Sequence, residues 1–278
     1  MADRRVPFPP SALSPVSPEV ARAAASPFCG GAWLSSLVFL LPPLVLAGIA
    51  TELIRGLEAE GKRRVLSTGV FLVELIAAAG VVALHARRAR ERIETSEPRI
   101  RALASEWRRV SAMAASLCAA FLVAWVALGG AIESLLRAGI GSGVFRIVPL
   151  VLAALMAADL AALAILVAWL SAIRAIEGCG TGTAAAILRG IWSKQRSRLF
   201  LHGAVAAFAT WGAWVTMAAV VNAVYAGVGS YAVPGTTASV LLDDALRTWL
   251  IATPPLAVLG SSGVASYLLL RPLGSAPS

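Results

Sequence analysis

The sequence predicts an all-α, polytopic membrane protein with six transmembrane helices and both termini cytoplasmic. Three observations carry this prediction. First, 58% of the 278 residues are AVILMFWYC, and 24 glycines bring the apolar share to about two thirds. A soluble domain holds about 45–50% on that scale and about 25% charged residues, whereas this chain has 14%. Second, mainly apolar stretches of about 20 residues, long enough to cross a bilayer, recur at 33–54, 65–85, 110–132, 146–173, 199–226 and 246–270. Third, the basic residues alternate between connections. The N-terminal tail, the second and fourth connections and the residues after span six (Arg271 onward) together carry 17 of the 24 Lys and Arg. An excess of Lys and Arg marks the cytoplasmic side.

In chain order, residues 1–32 come first. They hold Pro7, Pro9, Pro10, Pro15, Pro18 and Pro27 and no apolar core. They read as a disordered Pro-rich tail and not as a signal peptide. Residues 33–271 form the six-helix domain, and 272–278 a short C-terminal tail. The first connection carries Lys62-Arg63-Arg64 on the outer side, against the general sum. The second, 86–109, reads as a helical hairpin. His85 to Thr95 extends span two as an Arg-rich helix, and Ser96-Glu97-Pro98 restarts one with a serine cap and an early proline.

Trp33, Trp107, Trp169 and Trp249 fall near span ends, where indoles favour the interface. Trp125, Trp211 and Trp214 lie deeper and are expected between helices. Ala50–Arg55 and Ala131–Arg137 each place a glutamate one turn before an arginine, a spacing that permits an ion pair on one helix. Gly178–Gly182 reads as a flexible loop. The fifth connection, 227–245, reads as a polar turn that brings Asp243-Asp244 to the start of span six, where the helix dipole favours them.

Spans four and five are rich in small residues. Ala153, Ala157 and Ala161 recur every four residues, as do Ala154, Ala158 and Ala162. In span five Gly203/Ala207 and Ala209/Ala213 do the same. Such faces let helices approach closely in lipid. They pack inside the bundle or dock other membrane subunits or a second copy of the chain. The expected partners are therefore the lipid bilayer and those subunits. A net charge of +9 is a topology signal here, and no nucleic-acid binding is expected. The 22 Arg against 2 Lys, with the many alanines, point to a GC-rich bacterial genome and hence to a bacterial inner membrane.

The informative residues are charges at mid-membrane depth. Glu74 is near the middle of span two and Asp159 near the middle of span four. A carboxylate there costs about 2.5–3.5 kcal/mol on insertion scales, so both should face the bundle interior. If the two spans touch, the pair could share a proton. Seven residues separate Ser67 from Glu74, and eleven separate Glu74 from His85. At 100° per residue both intervals return to one face. Ser67, Glu74 and His85 thus form a stripe suited to a proton path. A structural glutamate beside an unrelated histidine fits the same spacing.

Pro42-Pro43 in span one and Thr253-Pro254-Pro255 in span six are each about half-way through. Adjacent prolines remove amide donors, and freed carbonyls at that depth need protein or a water-lined cavity. Transporters place such breaks at midplane sites. A plain structural kink is the simpler account.

An enzyme is the less favoured reading, and the sequence leaves it open. Cys29, Cys118 and Cys179 are far apart, without a CxxC, so zinc and thiol-redox signatures are absent. Gly260-Ser261-Ser262-Gly263 is similar to the Gly-x-Ser-Gly of rhomboid intramembrane proteases, but no histidine follows residue 202 to serve it. Trp211-Gly212-Ala213-Trp214 resembles a fragment of tryptophan-rich haem-handling proteins, without their neighbouring aspartate and aromatics. His85 and His202 on facing helices would be the ligands of a bis-histidine haem; otherwise no cofactor is called for. In size and topology the chain resembles ABC-type permeases. The first expectation is therefore a transporter, channel-like protein or permease subunit with a protonatable intramembrane carboxylate centre. The alternative is a non-catalytic assembly subunit of a larger membrane complex.

Overall fold

The computed structural model describes residues 17–28, 30–57, 60–93, 126–138, 147–229 and 237–271, with positions 115 and 119. They are helical almost throughout. The elements are α1 (Pro18–Ala25), a short 3-10 turn (Ser26–Phe28), α2 (Gly30–Arg55), α3 (Glu60–Ile93), α4 (126–137), α5 (Ile147–Glu177), α6 (Thr181–Gly229) and α7 (Thr237–Leu270). Five of them, α2, α3, α5, α6 and α7, contain candidate membrane spans by length and composition. This is the arrangement of a multi-pass membrane protein. Most of the expected third span, and the hairpin beyond Ile93, lie outside the described residues.

α7 is the central helix. It packs on α2, α3, α5 and α6, and 67% of its span is buried, against 11% in α5 and α6. Its contacts define the direction of each neighbour. Gly260 lies on Val82 and His85 of α3, and Gly263 on Ala168 of α5. Glu177 at the end of α5 accepts the Tyr267 hydroxyl at 2.6 Å. α3, α5 and α7 therefore run parallel. α2 runs against them, since Ser36 meets Thr253 and Gly48 meets Leu241. α6 also runs against them: Asn222 meets Arg247, while Gln195 reaches the Leu270 carbonyl.

Close approach at α7 depends on two glycines. A methyl at Gly260 would overlap the Val82 carbonyl oxygen and lie 3.0 Å from His85 Cβ. A methyl at Gly263 would lie 2.9 Å from the Ala168 oxygen. Without a hydrophobic drive between helices in lipid, such backbone-to-backbone contact is a main source of association.

The tail departs from expectation. Residues 18–25 are not disordered but form α1, with Ser17 as N-cap and Pro18 in the first turn. Val20 and Ala23, three residues apart, are buried in one apolar cluster with Ala86 and Ala89 of α3 and Tyr267 of α7. The Trp33 indole bonds the Pro27 carbonyl at 2.6 Å. A short amphipathic segment needs only two apolar contacts on a ready surface, and the proline count concealed this one. α1 thus shares one end of the bundle with the last turn of α7.

The fourth connection also differs. Gly178–Gly180 break the helix, and beyond them the connection is helical up to a kink at Gln195. Gly178, at φ 64°, takes the left-handed conformation that ends many helices and that glycine adopts without strain. Thr181 onward is helix, with Ala184, Ile187, Leu188 and Ile191 packed on the core at helical spacing. A non-helical Gln195 (φ −137°, ψ 34°) kinks α6 just before the expected fifth span.

Tryptophans are placed otherwise than expected. Trp169 is buried in the core, while Trp211 and Trp214 are half or more exposed. They share the outer side of α6 with Phe200, Val205 and Phe208, the face an apolar solvent would cover. The alanine series of α5 (153, 157, 161 and 154, 158, 162) is exposed among the described residues, whereas Gly203 packs on Ile165. The two Glu-Arg echoes form ion pairs, Glu52 with Arg55 and Glu133 with Arg137.

Candidate functional site

α3 is one unbroken helix from Glu60 to Ile93, because no proline or strand-forming run interrupts it. Ser67, Glu74 and His85 therefore do share a side. Their environments change steadily: Ser67 is exposed, Glu74 half-buried and His85 2% exposed. At 1.5 Å per residue, Glu74 lies about 10 Å from the level of Ser67 and about 16 Å from that of His85.

Asp159 stands at the depth of Glu74. The register comes from Arg90, whose Nη1 donates to the Ala175 carbonyl at 2.6 Å across a separation of 85 residues. Glu74 and Asp159 are separated by the same 85 positions on the same two parallel helices. They are level, but nothing joins them. Asp159 Oδ2 is buried without a hydrogen-bond partner. Among the described residues Glu74 makes no hydrogen bond or ion pair, and its surroundings act on it through burial alone. Between the two helices and α7 lies an apolar cavity of about 70 Å³, walled by Leu75, Leu160, Val82, Val167 and Leu256. Each carboxylate directly precedes a wall residue, Leu75 or Leu160, so each projects about 100° away from the shared face. A proton-sharing pair is therefore not formed in this arrangement.

The two histidines are not brought together either. His85 is covered by Gly260 of α7, and its Nε2 has no hydrogen-bond partner. His202 is half-buried on α6 beside Gly203, which packs on α5. α6 rests on α5 and α7, and α3 is not among its packing partners. The expected bis-histidine haem site is thus not assembled from these residues. Among the described residues no group of three His, Cys, Asp or Glu stands ready for a metal ion.

The double prolines differ from expectation in depth. Ser36 opposite Thr253, and Gly48 opposite Leu241, give one antiparallel register. In that register Pro42-Pro43 faces residues 246–247 of α7. This is about 12 Å along the axis from Pro254-Pro255, at the helical rise. Pro42 is exposed, whereas Thr253, Pro254 and Pro255 are buried. Both helices continue through their prolines. The two breaks do not line one common cavity. Thr253 instead joins α7 to α2, its hydroxyl 3.4 Å from that of Ser36, which in turn bonds the Trp33 carbonyl at 2.6 Å.

Two features escaped the sequence reading. Gly260 and Gly263 are the close-approach points of α7, and their Gly-x-x-Gly spacing was the available signal. The second is a polar set in the half of the bundle that carries α1. Ser36, His85, Ser171, Arg174, Thr253, Ser261 and Ser266 are each at most 8% exposed. Ser261 returns its proton to the Ala257 carbonyl at 2.8 Å. Arg174 Nη1 bonds Thr181 Oγ1 at 3.1 Å. Single serines and a basic residue at a span end carry little signal until neighbours bury them. Comparison with family patterns, curated proteins and solved structures finds no match to this chain.

Proposed function

We propose that this chain is a six-span protein of a bacterial inner membrane, with both termini cytoplasmic. In this reading it acts as a transporter or channel-like protein, or as a permease subunit. Glu74 and Asp159 are its protonatable centre, and His85 stands on the cytoplasmic side of them. The observation that carries the reading is the level pair of mid-helix carboxylates without partners among the described residues. A carboxylate kept as structural glue is expected to be held across helices, as Glu177 is by Tyr267. One kept without such bonds at that depth exacts a cost with no structural return, and intramembrane acids of this kind mark ion and proton routes. The shared end of α1 and the last turn of α7, rich in arginine, supports the orientation.

The test is Glu74→Gln and Asp159→Asn, each nearly isosteric. Both variants are expected to assemble and to lose pH-dependent flux of the chain reconstituted in vesicles. Unchanged flux in both would end the ion-route reading. The exposed alanine series on α5 favours the second reading, an assembly subunit. That reading requires instead that the variants fail to enter a larger complex isolated in mild detergent.

A further inference from the structure

Between Glu177 and Asp243 the chain carries no carboxylate, and its four basic residues there, Arg189, Lys194, Arg196 and Arg198, fall within ten positions. All four are exposed. Among the described residues none of them makes a hydrogen bond or an ion pair. Glu177 itself is already held, by the Tyr267 hydroxyl at 2.6 Å and by Arg271 at 3.2 Å. The stretch lies at the end of the bundle where α7 stops, since Gln195 Nε2 reaches the Leu270 carbonyl at 3.5 Å. Its inner side is apolar, with Ile191 and Leu199 buried in the core on either side of the Gln195 kink.

Its outer side is not what a solvated helix presents. Trp192 is 48% exposed and Phe200 61%, yet their ring centroids are 5.0 Å apart. Eight residues of straight helix separate levels by about 12 Å, so the two side chains fold toward each other across the kink. Arg189 and Arg196, three residues before and four after Trp192, share that side at helical spacing. A helix face turned to water alternates its charges, as α3 does where Arg87 and Arg88 flank Glu91. Here a ring pair exposed to its surroundings is combined with charge of one sign. The apolar span of α6 begins at Leu199, so the cations stand just outside the apolar zone and the rings at its edge. An indole suits that level. Basic residues there attract anionic headgroups, each by about fivefold in affinity, and guanidiniums match phosphate oxygens with paired N–H donors.

We propose that this elbow of α6 is a binding surface for an anionic phospholipid. Arg189 and Arg196 hold the headgroup phosphate, Trp192 and Phe200 bear on the glycerol and upper acyl chain, and Lys194 and Arg198 add to the positive field. The charge complementarity selects the occupant, because a zwitterionic lipid would leave four positive charges together with no carboxylate beside them. The surface is independent of Glu74 and Asp159 and of any flux through the chain.

The test is native mass spectrometry of the full chain in mild detergent, with phosphatidylglycerol and phosphatidylcholine in competition. Phosphatidylglycerol should be retained in preference, and the preference should fall as ionic strength rises. Arg189→Gln with Arg196→Gln should weaken phosphatidylglycerol binding roughly twenty- to thirtyfold, two factors of about five. Lys194→Gln with Arg198→Gln, a second pair on the same elbow, should also weaken it. Arg55→Gln with Lys62→Gln removes the same charge at the opposite end of the bundle and should leave it unchanged. The unfolding midpoint of each elbow variant in lipid-free detergent should match that of the parent, since none of the four side chains makes a bond there. Equal retention of the two lipids overturns the proposal, as does a preference that survives both elbow variants or falls as much in the distant one. Saturable binding of inorganic phosphate, without preference between the lipids, would assign the cluster to a soluble anion and overturn it as well.

Discussion

Substituting Gly260 by alanine should separate α7 from α3. The new methyl would overlap the Val82 carbonyl oxygen and stand 3.0 Å from His85 Cβ and 3.1 Å from the Ala86 nitrogen. Ordinary contacts lie at about 3.5–4.0 Å, and the obstacles here include backbone, which cannot rotate aside. The helices must part by roughly half an ångström to one ångström, and a gap of that size forfeits about a quarter to a half of each dispersion contact along the seam. Overpacking of this kind costs about 1–3 kcal/mol, and the backbone clash places Gly260→Ala in the upper part of that range. Gly263→Ala, at 2.9 Å from the Ala168 oxygen, should cost less. Gly69→Ala is the control, because nothing lies within 4 Å of its added methyl. It shares the gain in helix propensity, about 1 kcal/mol, so the comparison removes that contribution. The assay is reversible unfolding in mixed micelles, followed by circular dichroism and tryptophan fluorescence. A Gly260→Ala variant as stable as Gly69→Ala would refute the argument that backbone contact at this glycine holds α7 in the centre.

Three further outcomes follow, the last from the proposed orientation. Tyr267→Phe removes the 2.6 Å bond to Glu177 and should lower stability by about 1.5–3 kcal/mol, the range for bonds to charged groups; an unchanged unfolding midpoint would show that the tie contributes nothing. Burial, with Glu177 nearby, raises the Cys179 thiol above its ordinary value, while its own backbone and Arg174 act the other way. The thiolate is the reactive form, so in a Cys29→Ser, Cys118→Ser chain maleimide labelling of Cys179 should be slow at neutral pH and accelerate as pH rises. The same thiol should react first with a membrane-impermeant reagent in inside-out vesicles, and labelling confined to right-side-out vesicles would reverse the orientation.

The site was partly legible and partly not. Glu74 and Asp159 stood out because a charge inside an apolar run is costly wherever the run is buried. Their level placement followed from equal distances into two spans of like direction, and the Arg90–Ala175 bond supports it. That they point off the shared face was not legible, because it depends on how each helix is rotated against its neighbours. The double prolines looked equivalent for the same reason. Each is half-way along its own span, yet the α2–α7 register offsets them. His85 and His202 looked comparable at two span ends, and only the packing order put α5 and α7 between their helices.

Composition alone determined that the chain is helical and apolar, with long spans and basic residues gathered at connections. These are properties of the chain against its solvent: backbone groups must bond internally in lipid, and arginines must leave it. Tertiary structure decided which helix is central, which residues approach, and where polar groups are buried. α7 has no more hydrophobic a sequence than its neighbours, with a span hydropathy of 1.3 against 2.6 for α5. It is central because Gly260 and Gly263 let backbones close on it from two sides. Hydrophobicity places a helix in the membrane, but in lipid it does not choose the helix's neighbours; shape does, and shape is a property of pairs of surfaces.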